Sequence, residues 1–212
     1  MKSKHIILIA LLALSPVLFA QFGIKTGVNM ANEIKSFSQA DIAAAFDSRN
    51  LNGYQIGFIY QTMPKKSGLG MEFGALLTQK GSVFTDTISG NIKKGYRELN
   101  FVEVPVNLRY RLSMGIIGIY GIAGIYGSYE LSGKTVNEDV EPNVTTPSSY
   151  ASFMDHVDYG YNLGLGIELF NKLQLGGTWS QGIKTSPTAI YGLPTPVTSS
   201  NRVFSINLVY LF

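Results

Sequence analysis

The sequence lacks cysteine, is poor in charge and has no long apolar run. With no Cys among 212 residues, a disulfide scaffold, a cysteine nucleophile and thiolate metal sites are all excluded. Charged residues make up 15% of the chain, well below the roughly 25% of an average soluble domain, which argues against disorder. No stretch reaches the ~18 consecutive apolar residues of a membrane-crossing helix. Histidine is scarce as well, with His156 the only one beyond the N-terminal leader. What the chain does have is 23 Gly, 12 Tyr and 12 Phe, a composition that suits strands facing an apolar solvent or a large core. The length fits one domain.

Residues 1–20 read as a secretory signal peptide. Lys2 and Lys4 supply the positive start, Ile6 to Leu14 the apolar stretch, and Leu18-Phe19-Ala20 a cleavage-like end. A short anchor helix is the competing reading, but about 15 apolar residues broken by Ser15-Pro16 are too few to span a bilayer. Cleavage is therefore expected between Ala20 and Gln21, leaving a domain over 21–212. Losing Lys2 and Lys4 leaves 15 basic residues against 14 acidic ones. The basicity belongs largely to the leader and gives no reason to invoke nucleic acid.

Beyond Gln21 the hydrophobic period is two almost everywhere. Phe22, Ile24, Val28 and Met30 alternate with Gly23, Lys25, Gly27 and Asn29, and Val104, Val106, Leu108 and Tyr110 with Glu103, Pro105, Asn107 and Arg109. Similar alternation covers Tyr54–Gln61, with Ile59 as an apolar exception, and Leu69–Thr78, Asp158–Leu169, Leu173–Ser180 and Phe204–Phe212. Only Gly115–Tyr129 is ambiguous, because both of its faces are apolar or Gly. This pattern predicts eight strands, each with two chemically different faces. Short connections at Pro64–Ser67, Ser113-Met114 and Asn171-Lys172 alternate with long ones at Ala31–Leu51, Gly81–Tyr96, Ser132–His156 and Ile183–Ser200. Tight turns at one end and long loops at the other is the layout of an all-β, eight-stranded, antiparallel, up-and-down transmembrane β-barrel. Both termini then fall on the short-turn, periplasmic side.

Alternation alone does not tell a membrane barrel from a lipocalin-like soluble one, which would put its apolar face inside. The polar face decides. It carries Lys25, Glu72, Glu103, Arg109, Arg111, Asp158 and Glu168 interleaved with glycines, a mixture suited to a narrow lumen shared with long charged side chains. Aromatics gather at strand ends in two sets, Phe22, Tyr60, Tyr110, Tyr210 and Phe212 toward the turns and Tyr54, Tyr126, Tyr129, Tyr159, Tyr161 and Trp179 toward the loops. Two such sets match the two membrane interfaces. Lys25, Glu72, Glu103, Arg109, Arg111 and Glu168 are expected to form an ion-pair network that plugs the bore, since buried charges must pair or be hydrated. A polar conduit for small ions or solutes, with the same residues setting selectivity, is the alternative.

The last strand is similar to the C-terminal insertion signal of bacterial outer-membrane barrels, with Phe204, Tyr210 and the terminal aromatic Phe212 as its marks. The opening Phe22-Gly23-Ile24-Lys25-Thr26-Gly27-Val28 and the strand Leu99-Asn100-Phe101-Val102-Glu103-Val104-Pro105-Val106-Asn107-Leu108-Arg109-Tyr110 resemble the PorT-like or porin-like outer-membrane β-barrel proteins of Bacteroidetes. Asp158-Tyr159-Gly160-Tyr161-Asn162-Leu163-Gly164 adds to that resemblance, which covers essentially all of 21–212. It implies an outer-membrane location and insertion by the barrel-assembly machinery. It also implies a role connected with secretion or a surface assembly. The expected partners are outer-membrane lipid and a protein at the long loops, with no cofactor. An enzyme would need a constellation. Asp155, His156 and Asp158, even with Ser148, Ser149 or Ser152, are a loop cluster without a recognised triad or metal spacing, so no catalytic or metal-binding residue is assigned.

Overall fold

The computed structural model describes residues 20–36, 46–62, 67–88, 91–137, 144–147, 156–183, 186–188 and 197–212. The expected leader therefore lies outside the described residues, apart from Ala20. Ten strands follow in chain order: β1 (Ala20–Ser36), β2 (Phe46–Thr62), β3 (Gly68–Ile88), β4 (Asn91–Met114), β5 (Ile117–Asn137), β6 (Val144–Pro147), β7 (Val157–Leu169), β8 (Leu173–Gly182), β9 (Ser186–Thr188) and β10 (Val197–Leu211). Eight of them form a ring in the order β1-β2-β3-β4-β5-β7-β8-β10, and β10 returns to pair with β1 from Gly23↔Leu211 to Ser36↔Thr198. Every pairing is antiparallel. Closure leaves the ring without a free edge, the condition under which strands can meet lipid. The short β6 and β9 lie outside the ring, on β5 and β10.

The alternating faces sort as expected. Ile24, Val28, Ile56, Phe58, Leu108, Leu163, Ile206 and Leu208 all point outward. Leu165 at 71% and Ile125 at 63% exposure belong to a continuous apolar band that water would not tolerate. Phe22 and Tyr60 (5.8 Å) and Tyr210 and Phe212 (5.6 Å) meet in edge-on ring pairs at the turn end, and Tyr161 and Trp179 (5.5 Å) toward the loop end. Tyr126 is a correction: it is 3% exposed and points into the lumen rather than joining the outer aromatic belt.

The ambiguous segment resolves as β5, whose outward face is Ile117, Ile119 and Ile125 and whose inward face carries Tyr120, Ile122 and Tyr126. These inward side chains lie over the glycines of the next strand. A Cβ on Gly160, Gly164 or Gly166 would come within 2.4–2.8 Å of Tyr126, Ile122 and Tyr120 respectively. Ile59, the exception in β2, also turns inward and packs with Leu76, Val209 and Leu211 in a small apolar cluster. Pro105 supplies no N–H, and the β3–β4 ladder is interrupted without a change of register between Phe73↔Val106 and Leu76↔Glu103. Gly74 faces it, where a Cβ would stand 2.9 Å from the proline ring.

One tight turn is displaced, and strand enters every connection expected to be a long loop: β1 runs to Ser36, β2 begins at Phe46, β5 runs to Asn137 and β10 begins at Val197. The turn expected at Ser113-Met114 falls at Gly115-Ile116, where Gly115 takes φ 77° as the first of two turn residues. The long loop expected over Gly81–Tyr96 is instead mostly ladder, since β3 and β4 stay paired from Ser82↔Arg97 to Ile88↔Asn91. β4 and β5 likewise remain paired up to Gly95↔Asn137, whereas β5–β7 pairing stops at Tyr129↔Val157 and β7–β8 pairing at Gly160↔Gly182. One side of the barrel thus continues past its rim as a sheet.

A side-chain-filled lumen as the candidate functional site

Every second residue of the ring points into the bore, so the site is built by eight strands at once. Four of the six charges expected in the ion-pair network form one layer near the turns. Arg109 Nη1 lies 3.1 Å from Glu72 Oε2 and its Nη2 3.5 Å from Glu168 Oε2, while Arg111 Nη1 donates to Glu168 Oε1 at 2.6 Å. Neutral amides complete the layer. Gln61 donates to Glu72 (2.8 Å), Asn107 to Glu72 (3.3 Å) and Gln174 to Glu168 (2.7 Å), and Gln61 and Gln174 bond to one another. The Arg109 guanidinium stacks on the Tyr120 ring, its carbon 3.5 Å from the centroid. Charged, planar and mutually bonded groups therefore span the bore at this level.

Glu103 stands in a second layer toward the loop end. Its partner is Lys80, whose ammonium is 2.7 Å from Glu103 Oε2 and 3.5 Å from Asp158 Oδ2. The same ammonium sits over the Tyr126 ring at 4.3 Å and the Phe101 ring at 5.0 Å. Tyr126 Oη (3.3 Å) and Asn201 Nδ2 (3.1 Å) both donate to Asp158. Lys80 was not among the expected lumen residues, although Thr78, Lys80 and Ser82 continue the inward period of β3 and all three are buried. Lys25 departs from expectation differently. It is buried in the lumen but makes no hydrogen bond or ion pair with any described residue, so it is not part of either network.

Between the layers a belt of amides and hydroxyls closes the bore. Ser205 donates to Asn29 (2.8 Å), Asn207 to Thr178 (2.9 Å), and Gln55 to Asn207. A cavity of ≈ 10 Å³ remains at this level, lined in part by Lys25, Thr78, Glu103, Pro105 and Asn162. Above the rim, Lys134 Nζ meets Glu98 Oε2 at 2.8 Å, and this hydrogen bond and charge raise the lysine above its ordinary pKa. His156 stacks on Tyr129 at 5.4 Å. Asp155, Ser148, Ser149 and Ser152 lie outside the described residues. Among the described residues no group of three His, Asp or Glu is placed to hold a metal. Phe204, Tyr210 and Phe212 all face outward on β10 or just after it, and Gln21 sits in β1.

A closed ring, an apolar outer band and a charged, packed interior define a membrane-spanning outer-membrane β-barrel. Residues 15–186 match the outer membrane protein beta-barrel domain family, and the chain belongs to that family. OprG, an outer membrane protein of Pseudomonas aeruginosa, is similar in structure, with 12% identity, a TM-score of 0.50 and coverage of 91% of this chain and 96% of that one. Neisserial surface protein A (8% identity, TM-score 0.44, covering 91% and 99%) and Ail of Yersinia pestis (12%, 0.43, 91% and 99%) are further structural matches. At these identities the likeness concerns the fold alone. No curated protein matches the sequence.

Proposed function

We propose that this outer-membrane barrel is sealed, and that it acts through the sheet and loops it raises beyond its rim, in a structural or interaction role. The observation that carries this reading is the filled bore. Two ion-pair layers cross the bore, and the amide belt between them holds a cavity of ≈ 10 Å³, far short of an aqueous channel. The resemblance to PorT-like proteins of Bacteroidetes supports a secretion or surface assembly as the setting, with a protein partner at the loop end. A cleaved leader before Gln21, insertion by the barrel-assembly machinery and periplasmic termini belong to the same reading. Nothing in the lumen chemistry calls for a catalytic role.

The test is conductance of purified protein in planar bilayers, compared with its Glu103→Ala variant. The sealed barrel gives no stable steps, and Glu103→Ala lowers the urea midpoint of unfolding in lipid without opening a path. Reproducible, ion-selective steps from the unaltered protein would establish the minor channel for small solutes instead.

A further inference from the structure

Lys25 stands apart from the other lumen charges. Its neighbours across both ladders are Gly57 and Val209, which offer its ammonium no side-chain acceptor. The residue as a whole is 6% exposed, and its ammonium has no carboxylate or carbonyl partner among the described residues. Three other residues of the cavity carry a buried oxygen without a hydrogen bond: Thr78 Oγ1, Asn162 Oδ1 and Glu103 Oε2, the last of which is ion-paired with Lys80 at 2.7 Å. The other polar groups of the belt are satisfied: Thr178 accepts from Asn207, Ser205 donates to Asn29, and Asn162 gives its own amide hydrogen to Asn107 at 3.4 Å. Lys25, a buried Thr78 hydroxyl and a buried Asn162 carbonyl oxygen therefore line one small void.

We infer that this void is a binding site for a single ordered water, which joins Lys25 to Thr78, Asn162 and the carboxylate of Glu103. This inference rests on the sealed-lumen reading and completes it. The volume is at the lower limit for one water. The chemistry fits a ligand that both accepts and donates: Lys25 and Thr78 have hydrogens to give, while Asn162 Oδ1 has only lone pairs. A small anion satisfies Lys25 but leaves Asn162 Oδ1 without a donor and sits against Glu103. Charge balance also disfavours an anion. The buried cations Lys25, Lys80, Arg109 and Arg111 already face the buried anions Glu72, Glu103, Glu130, Asp158 and Glu168, so no positive charge is in surplus. Lys25 instead offsets the second carboxylate of the Lys80–Glu103–Asp158 group through the water.

Crystals of the full-length barrel grown in sodium bromide test this directly. The expected result is one density peak within hydrogen-bonding distance of Lys25 Nζ, Thr78 Oγ1 and Asn162 Oδ1, with no bromine anomalous signal. Lys25→Met should remove the peak. If that variant does not fold, the paired Thr78→Val and Asn162→Leu changes should remove it while leaving Lys25 in place. An anomalous peak at Lys25 would overturn the water in favour of an anion, and a dry cavity with Lys25 in direct contact with Glu103 would overturn the site altogether. Conductance keeps the two ideas separable. Steps in bilayers with the water peak present would sink the sealed lumen only, and a bromide-filled or dry cavity in a silent barrel would sink the water only.

Discussion

Glu72 holds three donors at once, Arg109, Gln61 and Asn107, and its role differs from that of a surface acid. Deleting one partner of a buried ion pair strands the other, at a cost of roughly 3–5 kcal/mol, whereas replacing both with apolar groups is often neutral. Glu72→Ala leaves Arg109 with Glu168 as its one carboxylate, at 3.5 Å, Gln61 with Gln174 as its remaining acceptor, and Asn107 without the carboxylate it donates to. The urea midpoint of the barrel in lipid vesicles should fall by an amount equivalent to roughly 3–5 kcal/mol. The double change Glu72→Leu, Arg109→Met should recover most of that loss. A single variant as stable as the unaltered protein would mean that the layer is hydrated, and the sealed bore would lose its main support. Lys80 and Glu103 show the same logic in the upper layer, where one ammonium serves two carboxylates and two aromatic faces.

Among the elements, the β5–β7–β8 wall shows how glycine and aromatic residues divide the lumen between them. Tyr120 reaches from β5 over β7 to β8, and a Cβ on Gly176 would meet its hydroxyl at 2.4 Å, the β7 carbonyl oxygen of Leu165 at 3.0 Å and the Tyr120 ring carbon at 3.3 Å. Gly176→Ala should destabilise by about 1–3 kcal/mol, as overpacking does, and Tyr120→Phe in the same chain should restore part of it by removing the nearest atom. Gly166→Ala should not be rescued in this way, since the ring carbon itself and the Leu175 carbonyl stand at 2.4 and 2.6 Å. A double-mutant cycle of unfolding midpoints checks both, and absence of coupling between Gly176 and Tyr120 would refute the packing account. The same wall explains what was legible in the sequence. Where one face meets lipid and the other a polar bore, period two is plain, as in β4 from Val104 to Leu112, and it led directly to Glu72, Arg109, Arg111 and Glu168. In β5 the inner face is itself apolar because glycines opposite make room for rings, so alternation carried no signal and Tyr126 was assigned to the wrong side. Beyond the rim the sequence turns largely polar, the pattern fades, and the paired Ser82–Ile88 and Asn91–Arg97 read as loop. Lys80 sits at that boundary, which is why the partner of Glu103 was missed.

At the scale of the whole molecule, the asymmetry between the two ends makes a statement about orientation. The described turns are short at the end where β1 begins and β10 finishes, and at the other end β3, β4 and β5 continue as a raised sheet. Outer-membrane barrels keep tight turns in the periplasm and extended segments outside, so the proposed function expects the raised sheet on the cell surface. The absence of cysteine makes this testable without background. Lys134 lies on the raised sheet, with its side chain 47% exposed, and Lys172 lies in the exposed turn between β7 and β8. Each can be changed singly to Cys and treated on intact cells with a maleimide carrying a polymer too bulky for porins. Lys134→Cys should label in sealed cells, and Lys172→Cys only after the outer membrane is permeabilised. Labelling of Lys172→Cys in sealed cells with Lys134→Cys silent would invert the barrel, moving the raised sheet into the periplasm and any partner with it. Because neither position touches the lumen layers, the folded state can be confirmed in the same samples by a shift in gel migration between unheated and heated protein.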